Sequence, residues 1–147
     1  MTTDFHIETA SWRDLNGLRQ LEHVCFGRDA WPLLDLIAVL AFPGTIRLKA
    51  IIGERLVGFI GGDVRLAEGI GWITTLGVLP EFRRQGIARA LLAASEKLFP
   101  TPRLRLSVRR SNFAAQELYL QAGYTQVDVW RHYYSEGEDA LVLEKRR

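Results

Sequence analysis

One segment in the middle of the chain restricts the fold more than any other: an apolar strand continues through a basic loop into a helix. Residues 71–79 are strand-like, and Gly86 opens a run with apolar residues at helical spacing. Arg83 and Arg84 lie in the loop, and Arg89 lies in the first helical turn. The first N–H groups of a helix have no intrahelical partner and its dipole favours anions, so the segment predicts a diphosphate site. The alternative is a solvated basic turn in which the glycine only caps the helix.

This loop differs from the two common phosphate-binding sequences. No Gly-Lys-Ser/Thr follows the glycine, as a Walker loop requires, and the spacing of three glycines in a dinucleotide-binding fingerprint is missing. Gly86 lets a ligand approach the backbone, and Ala88 keeps the next turn narrow. We therefore expect an anion site of another kind.

The whole chain predicts the element order β-α-α-β-β-β-α-β-α-β-β. Strands are predicted at residues 5–9, 46–52, 56–65, 71–79, 104–108, 124–130 and 140–144. Helices are predicted from a capping box at Ser11 and Asp14 to residue 25, from residue 31 to 42, from 86 to 99, and from a cap at Asn112 to 122. Turns at 53–54 and 67–69 indicate hairpins, so an antiparallel meander precedes one strand–helix–strand crossover. The expected class is α/β or α+β, with a mixed sheet.

Composition indicates a single domain over residues 1–147, because 48% apolar and 24% charged residues are typical of a soluble globular chain. A net charge of +2 is too small to predict nucleic-acid binding. The longest apolar run, residues 31–42, is interrupted by Asp35 and predicts a core helix rather than a membrane span.

Cys25 is the single cysteine, which excludes an internal disulfide or a cysteine-based metal site and favours a cytoplasmic location. Its helix position predicts a packing role. The three basic residues 145–147 are expected to form a solvated tail.

The spacing Arg83-x-x-Gly86-x-Ala88 resembles the acetyl-coenzyme A signature of the GNAT superfamily, Arg/Gln-x-x-Gly-x-Gly/Ala. Residues 106–112, Leu-Ser-Val-Arg-Arg-Ser-Asn, resemble the fifth strand of that family and the asparagine after it. Residues 112–119 resemble its Asn-x-x-Ala-x-x-x-Tyr helix, and 122–124 its following Gly-Phe/Tyr. The chain is thus similar to GNAT N-acetyltransferases over essentially its whole length.

The resemblance implies a mixed sheet of six to seven strands, flanked by about four helices and splayed at the fourth and fifth strands. It also implies direct transfer of an acetyl group from acetyl-CoA, as co-substrate, to an amine, without an acyl-enzyme intermediate or a metal. Twelve residues would hold acetyl-CoA by this resemblance: Leu76, Val78, Arg83, Arg84, Gln85, Gly86, Ile87, Ala88, Arg89, Asn112, Ala115 and Tyr119. Backbone groups of Leu76 and Val78 would pair with the pantetheine arm, and Gly77 would let their strand bulge and splay.

Helical spacing can be read independently of the family. Asn112, Ala115 and Tyr119 stand at i, i+3 and i+7 and therefore share one face of a helix. That face suits a ligand wall, although a tyrosine in such a place is often part of the core.

Catalytic roles also follow from the resemblance. Tyr119, with an ordinary pKa of about 10, would donate a proton to the departing thiolate. A backbone N–H near Val78 would stabilise the oxyanion. Relatives that acetylate protein N-termini have a glutamate or histidine base where this chain has Ser107, so Ser107 could only hold a proton-relaying water. The base stays unassigned, with Asp63, Glu68 and Glu138 as alternatives.

The acceptor is predicted from residues 130–140, which resemble the Asn-Tyr-Tyr…Asp-Ala segment of ribosomal-protein-alanine and other N-terminal acetyltransferases. Tyr133 and Tyr134 would line the acceptor site, with Trp72 beside them, although aromatic pairs near a hairpin also serve packing. His132 stands where those relatives have asparagine.

Acceptors left open are a protein N-terminus and a small amine such as a polyamine, amino acid or aminoglycoside. A non-catalytic acyl-CoA-binding module is the rival that Ser107 favours and Tyr119 opposes. The chain is expected to be a monomer or homodimer without nucleic-acid or membrane partners.

Overall fold

A computed structural model describes residues 4–147 and has the predicted order of elements. The strands are β1 His6–Thr9, β2 Thr45–Ile52, β3 Arg55–Arg65, β4 Ile70–Val78, β5 Arg103–Arg109, β6 Thr125–Trp130 and β7 Ala140–Arg146. The helices are α1 Leu15–Phe26, α2 Leu33–Ala41, α3 Ile87–Leu98 and α4 Phe113–Gln121. Short 3₁₀ turns precede α1 and α2 and follow β3 and β4.

The seven strands form one sheet in the order β1-β2-β3-β4-β5-β7-β6. Neighbouring strands are antiparallel except β4 and β5, which are parallel and joined by α3. The prediction of a mixed sheet with six to seven strands and about four helices is confirmed. Helices cover both faces: a side chain at Gly77 would meet Leu21 of α1, whereas one at Gly58, opposite Val78, would meet Leu91 of α3.

The parallel pairing is short, and this opens the sheet. Strand β4 pairs with β5 only from Ile70 opposite Arg103 to Ile73 opposite Leu106. Beyond these residues β5 pairs with β7 alone, so the second half of β4 has one free edge. The expected splay between the fourth and fifth strands is confirmed.

The bulge that accompanies the splay lies at Thr74, and its prediction at Gly77 was wrong. Thr75 pairs with Gly61 and Ile73 with Gly62, which leaves Thr74 as the extra residue on β4. Gly77 pairs in regular register with β3. A Cβ there would lie 3.2 Å from Leu21 and Phe26, so the glycine is required for close packing of α1 on the sheet.

The structure agrees with the prediction near the N-terminal end of the chain and differs from it at the C-terminal end. The capping box of Ser11 and Asp14 is present and caps the 3₁₀ turn that leads into α1. Residues 145–147 do not form a solvated tail, because β7 extends to Arg146 and Lys145 pairs with Glu96 at 3.0 Å. The Arg147 guanidinium donates to backbone carbonyls at the end of α3, including that of Phe99. These carbonyls lack helical partners, and the cation also suits the negative end of the helix dipole.

Within residues 4–147 no helix has both the length and the apolar character needed to cross a membrane.

Candidate active site

The splay between β4 and β5 holds a cavity of about 170 Å³. Five parts of the chain form its walls: the end of α1 with the segment before α2, the middle of β4, the second half of β5, α4, and the loop between β6 and β7. The lining residues are Phe26, Asp29, Trp31, Ile73, Thr74, Thr75, Leu76, Leu106, Ser107, Val108, Arg109, Asn112, Ala115, Tyr119 and Tyr134. Apolar side chains and a few polar groups therefore converge on one small site, as in most ligand pockets.

The free edge of β4 offers backbone hydrogen-bonding groups on the cavity side. The N–H of Leu79 donates to Val57 of β3 at 2.8 Å. Because hydrogen-bonded pairs alternate along an antiparallel ladder, Gly77 also bonds to β3. The backbone groups of Leu76 and Val78 therefore point the other way, towards the space left by β5. An extended ligand can pair with them as an added strand would.

The carbonyl of Val78 is already engaged. It accepts a hydrogen bond from Arg83 Nε at 2.9 Å and a weak one from the Cys25 thiol at 3.4 Å. Arg83 therefore holds the basic loop against the end of β4. The backbone N–H of Val78 remains directed towards the cavity side.

The N-terminus of α3 has the conformation that an anion cradle requires. Gly86 is the N-cap with φ +82°, and Arg84 also has a positive φ of 64°. No side chain of the described part of the chain caps this helix, and its first turn, Ile-Ala-Arg-Ala, has no acidic residue. A Cβ placed on Gly86 would meet no atom within 4 Å, so the backbone there is open to a ligand. These features fit a diphosphate. The guanidinium of Arg89 also donates to Gln121 of α4 at 2.8 Å, which links α3 to α4.

Helix α4 supplies the opposite wall. Asn112 is its N-cap and accepts from the N–H of Ala115 at 3.2 Å. Asn112, Ala115 and Tyr119 all line the cavity, as their helical spacing predicts. Tyr119 is only 8% exposed, and burial raises the pKa of its phenol. Among residues 4–147 its hydroxyl has no hydrogen-bond partner, so a proton on this oxygen is available to a ligand.

Arg109 of β5 ties together the two loops beside the cavity. Its guanidinium donates to Asp29 before α2 at 2.7 Å, to Glu138 after β6 at 2.7 Å, and to Glu136. It also stacks on the ring of Tyr134, 3.8 Å from the centroid. The Arg109 hydrogen bond lowers the pKa of Glu136 to about 2, and bonds from Ser111 and Arg109 lower that of Glu138. Glu138, one of the expected base alternatives, is thus committed to this network.

The remaining predicted residues lie in different surroundings. Ser107 lines the cavity, whereas Asp63 and Glu68 are absent from its wall. Their half-exposed carboxylates lie 3.3 and 3.9 Å from the guanidinium of Arg65. Trp72 lies outside the cavity wall. It packs on Trp130, with 5.8 Å between ring centroids, and its buried indole N–H has no hydrogen-bond partner among residues 4–147.

An aromatic row connects Trp72 to the cavity. Trp130 lies 5.2 Å from Tyr133, and Tyr133 lies 5.1 Å from Tyr134, which alone of the row lines the cavity. Tyr133 is mostly exposed. Trp130 was not among the residues predicted from sequence, although its place in the same segment as Tyr133 and Tyr134 was a usable signal.

Sequence reasoning also missed the buried carboxylate of Glu22. Glu22 lies in α1, is 1% exposed, and accepts from Thr75 Oγ1 at 2.8 Å and from the Trp31 N–H at 3.2 Å. Burial raises the pKa of this carboxyl. The available signal was a charged residue on the apolar face of α1, beside Leu21 and one turn before Cys25.

No cluster of three or more histidine, cysteine, aspartate or glutamate side chains suited to a metal ion occurs between residues 4 and 147.

Comparison with known proteins gives consistent results. The model of the acetyltransferase (GNAT) family matches residues 13–124. The N-terminal acetyltransferase A complex catalytic subunit NAA10 of Arabidopsis thaliana is 32% identical over 146 residues, which cover 95% of this chain and 76% of that protein. The ribosomal-protein-S18-alanine N-acetyltransferase of Escherichia coli superposes with a TM-score of 0.86 at 25% identity, over 97% of this chain and 94% of that one. Arabidopsis NAA60, solved with acetyl-CoA, has a TM-score of 0.87 at 19% identity, over 98% and 100%.

Proposed function

The chain belongs to the acetyltransferase (GNAT) family, and from this premise we propose that it acetylates the α-amino group of a protein or peptide N-terminus. It is an N-acetyltransferase, and acetyl-CoA is its co-substrate. One observation carries the proposal: the free edge of β4 and the face of α4 that bears Tyr119 line one cavity beside the acidic loops, and the chain continues from the end of β4 into the uncapped start of α3. NAA10 is named a catalytic subunit of an N-terminal acetyltransferase complex and the Escherichia coli enzyme an N-acetyltransferase of an alanine in a ribosomal protein, and these names favour a protein acceptor over others.

Binding of acetyl-CoA would bring an activated acetyl thioester into the cavity. In the proposal, N–H groups from Arg84 to Arg89 hold the diphosphate at the start of α3. The free backbone N–H and C=O of Leu76 hold the pantetheine arm along β4, and the free N–H of Val78 lies beyond them at the end of the strand. Two rigid elements thus fix the position of the reacting carbon, which lowers the entropic cost of reaction.

Two donors would then act on the reacting group. The N–H of Val78 stabilises negative charge on the carbonyl oxygen during attack by the amine. The Tyr119 hydroxyl donates its proton to the leaving sulfur. The ordinary pKa of a phenol already leaves it protonated at neutral pH, and burial raises the pKa of Tyr119 further, so the donor is in the required form.

The acceptor would enter between the two loops that Arg109 joins. Asp29, Glu136 and Glu138 outnumber the two cations beside them, Arg109 and Arg28, so this side of the cavity carries a slight excess of negative charge. Such a field attracts a cationic amine and repels carboxylates. The aromatic rings of Tyr133 and Tyr134 provide a surface for the residues that follow the terminal amine.

We also propose a cytoplasmic location, for which the unpaired state of Cys25 is the support.

A thiol-release assay with a peptide panel tests the acceptor class. We expect turnover with peptides that have a free α-amine, and acetylation at that nitrogen by mass spectrometry. The matched control is each peptide with an N-terminal acetyl cap and an internal lysine, which should not react. Turnover on polyamines or aminoglycosides but on no peptide would replace the proposed acceptor with a small amine. Acetyl-CoA binding without turnover on either panel would indicate a binding module.

A further inference from the structure

The acids around the cavity differ in their partners. Asp29, Glu136 and Glu138 all accept hydrogen bonds from Arg109. Glu22 has no lysine or arginine partner within 4 Å in the part of the chain that is described. A guanidinium partner stabilises the charged form of a carboxylate and lowers its pKa, so the paired carboxylate is a poor proton acceptor. Glu22 is therefore the acid near the cavity whose charge has no cationic compensation.

Thr75 lies between Glu22 and the cavity. Thr75 is one of the residues that line the cavity, next to the Thr74 bulge, and its Oγ1 donates to Glu22 Oε2 at 2.8 Å. A hydroxyl has one proton to donate and two lone pairs with which to accept. With its proton directed at Glu22, Thr75 can accept a hydrogen bond from a group in the cavity. The Trp31 N–H holds the other carboxylate oxygen, so the orientation of Glu22 is fixed from two sides.

We propose that Glu22 takes the proton of the acceptor ammonium through the hydroxyl of Thr75. This inference rests on the proposed amine acetylation and supplies the base that Ser107 cannot be. Thr75 contacts the amine, and Glu22 acts through Thr75.

The proton transfers balance as follows. The acceptor ammonium gives one proton to Thr75 Oγ1 while the hydroxyl proton of Thr75 passes to Glu22, which becomes a neutral carboxylic acid. The freed nitrogen lone pair forms the C–N bond, and the C–S bond breaks with its electron pair on sulfur. Tyr119 protonates the sulfur and regains a proton from the nitrogen, directly or through water. Glu22 later releases its proton to solvent, so the products are an amide, a thiol and one proton.

The surroundings of Glu22 favour this role. Burial raises the pKa of its carboxyl above the ordinary value, although the bonds from Thr75 and Trp31 lower it. A general base is most effective when its pKa approaches the working pH. Arg19 and His23 of α1 share with it a second groove, of about 470 Å³, on the outer side of Trp31.

The other groups near Glu22 that could affect its titration come from α1, from the segment before α2 and from β4. Cys25, on the same helix, interacts with both Glu22 and Arg83. Asp29, from the segment before α2, lines the cavity beyond Trp31. From β4 the facing group is the hydroxyl of Thr75, which does not titrate in this range.

Substitutions at Thr75 test the relay with little change in volume. Thr75→Val removes the hydroxyl, and we expect kcat near neutral pH to fall by about 10- to 100-fold, within the range of general-base effects. Thr75→Ser keeps the hydroxyl and should retain most activity. Glu22→Gln should match Thr75→Val, and the double variant should lose no more than either alone, because both interrupt one path. Thermal unfolding of each variant verifies the fold.

The pH dependence separates a relay from a structural role. In Thr75→Val and Glu22→Gln the remaining kcat should rise with pH and approach the wild-type value above the pKa of the acceptor, about 8 for an α-amine. A merely structural defect would persist at every pH. A wild-type pH profile in Thr75→Val, or equal losses in Thr75→Ser and Thr75→Val, would overturn the proposal.

A titration without any substrate gives an independent readout. Carboxyl ¹³C chemical shifts report the pKa of Glu22, which Thr75→Val should raise further because the hydroxyl bond lowers it. An unchanged Glu22 pKa would contradict the hydrogen bond between Thr75 and Glu22. Absence of wild-type turnover on every amine would instead refute the proposed function, and the relay with it.

Discussion

At the scale of single residues, Tyr119 is the side chain whose proposed role is best defined by its surroundings. It lines the cavity, its hydroxyl has no partner within residues 4–147, and burial raises the pKa of its phenol further above neutral pH. Tyr124 lies against it, with 5.9 Å between ring centroids, yet bonds to Glu96 at 2.7 Å and stays outside the cavity wall. Two adjacent buried tyrosines therefore differ in whether the hydroxyl is free to donate its proton to a ligand in the cavity.

This difference leads to a matched pair of substitutions. Tyr119→Phe should lower kcat by about 10- to 100-fold, because it removes the proton donor to sulfur. The dissociation constant of acetyl-CoA, measured by calorimetry, should change little. Tyr124→Phe is the control: it removes an equivalent hydroxyl and should lower stability while it leaves kcat near the wild-type value. Normal turnover in Tyr119→Phe, or weaker cofactor binding with normal turnover, would contradict the proposed acid.

Residue-scale prediction from sequence succeeded where one helix carries the whole pattern. Asn112, Ala115 and Tyr119 lie within eight positions, so helical spacing alone places them on one wall. Glu22 and Arg109 were missed because their partners are distant in sequence: Thr75 is 53 positions from Glu22, and Asp29 is 80 from Arg109. Only tertiary packing brings such groups together.

At the scale of elements, the start of α3 defines the proposed anion site. Its N–H groups are uncapped, and Gly86 has a left-handed backbone with open space around it. Gly53 has a similar φ of +62° and similar open space, but lies in the turn between β2 and β3. These two glycines thus allow the same substitution inside and outside the site.

Gly86→Glu should abolish acetyl-CoA binding, because it places a side chain and a negative charge where the diphosphate is expected. Gly53→Glu should leave the affinity unchanged. Both carry the strain of a side chain at positive φ, about 1–2 kcal/mol, so any difference in affinity reports the site. Calorimetric titration measures the effect. Equal affinity in the two variants would place the diphosphate elsewhere.

The elements themselves were largely predictable, because the turn residues and periodic apolar patterns agree along the chain. The location of the bulge was not. A glycine in a strand commonly marks a bulge, which pointed to Gly77. In this sheet the close packing of α1 leaves little room for a side chain at position 77, which explains the glycine there. The bulge lies instead at Thr74, where β4 starts to leave β5. The reason is a packing contact between distant elements, which a strand pattern does not contain.

At the scale of the whole molecule, the sheet consists of two parts joined by a short parallel ladder. Strands β1 to β4 form one part and β5 to β7 the other, and the strand pairing between them is limited to residues 70–73 and 103–106. The resemblance predicted this splay correctly. The ion-pair network of Arg109, which closes the other end of the opening, could not be anticipated from spacing.

If acetyl-CoA occupies the opening, it adds bonds between the two parts and should stabilise the folded state. At about 100 times its dissociation constant the expected gain is roughly 2.7 kcal/mol, or about 5–10 °C in Tm for a domain of this size. Hydrogen exchange should slow at the free-edge amides of Leu76 and Val78. The amide of Gly77, already bonded to β3, provides the internal control because its protection should change less. A rise in Tm without added protection at Leu76 and Val78 would mean that the pantetheine arm does not lie along β4. Gly86→Glu should show neither effect, because the arm is positioned only when the diphosphate is held.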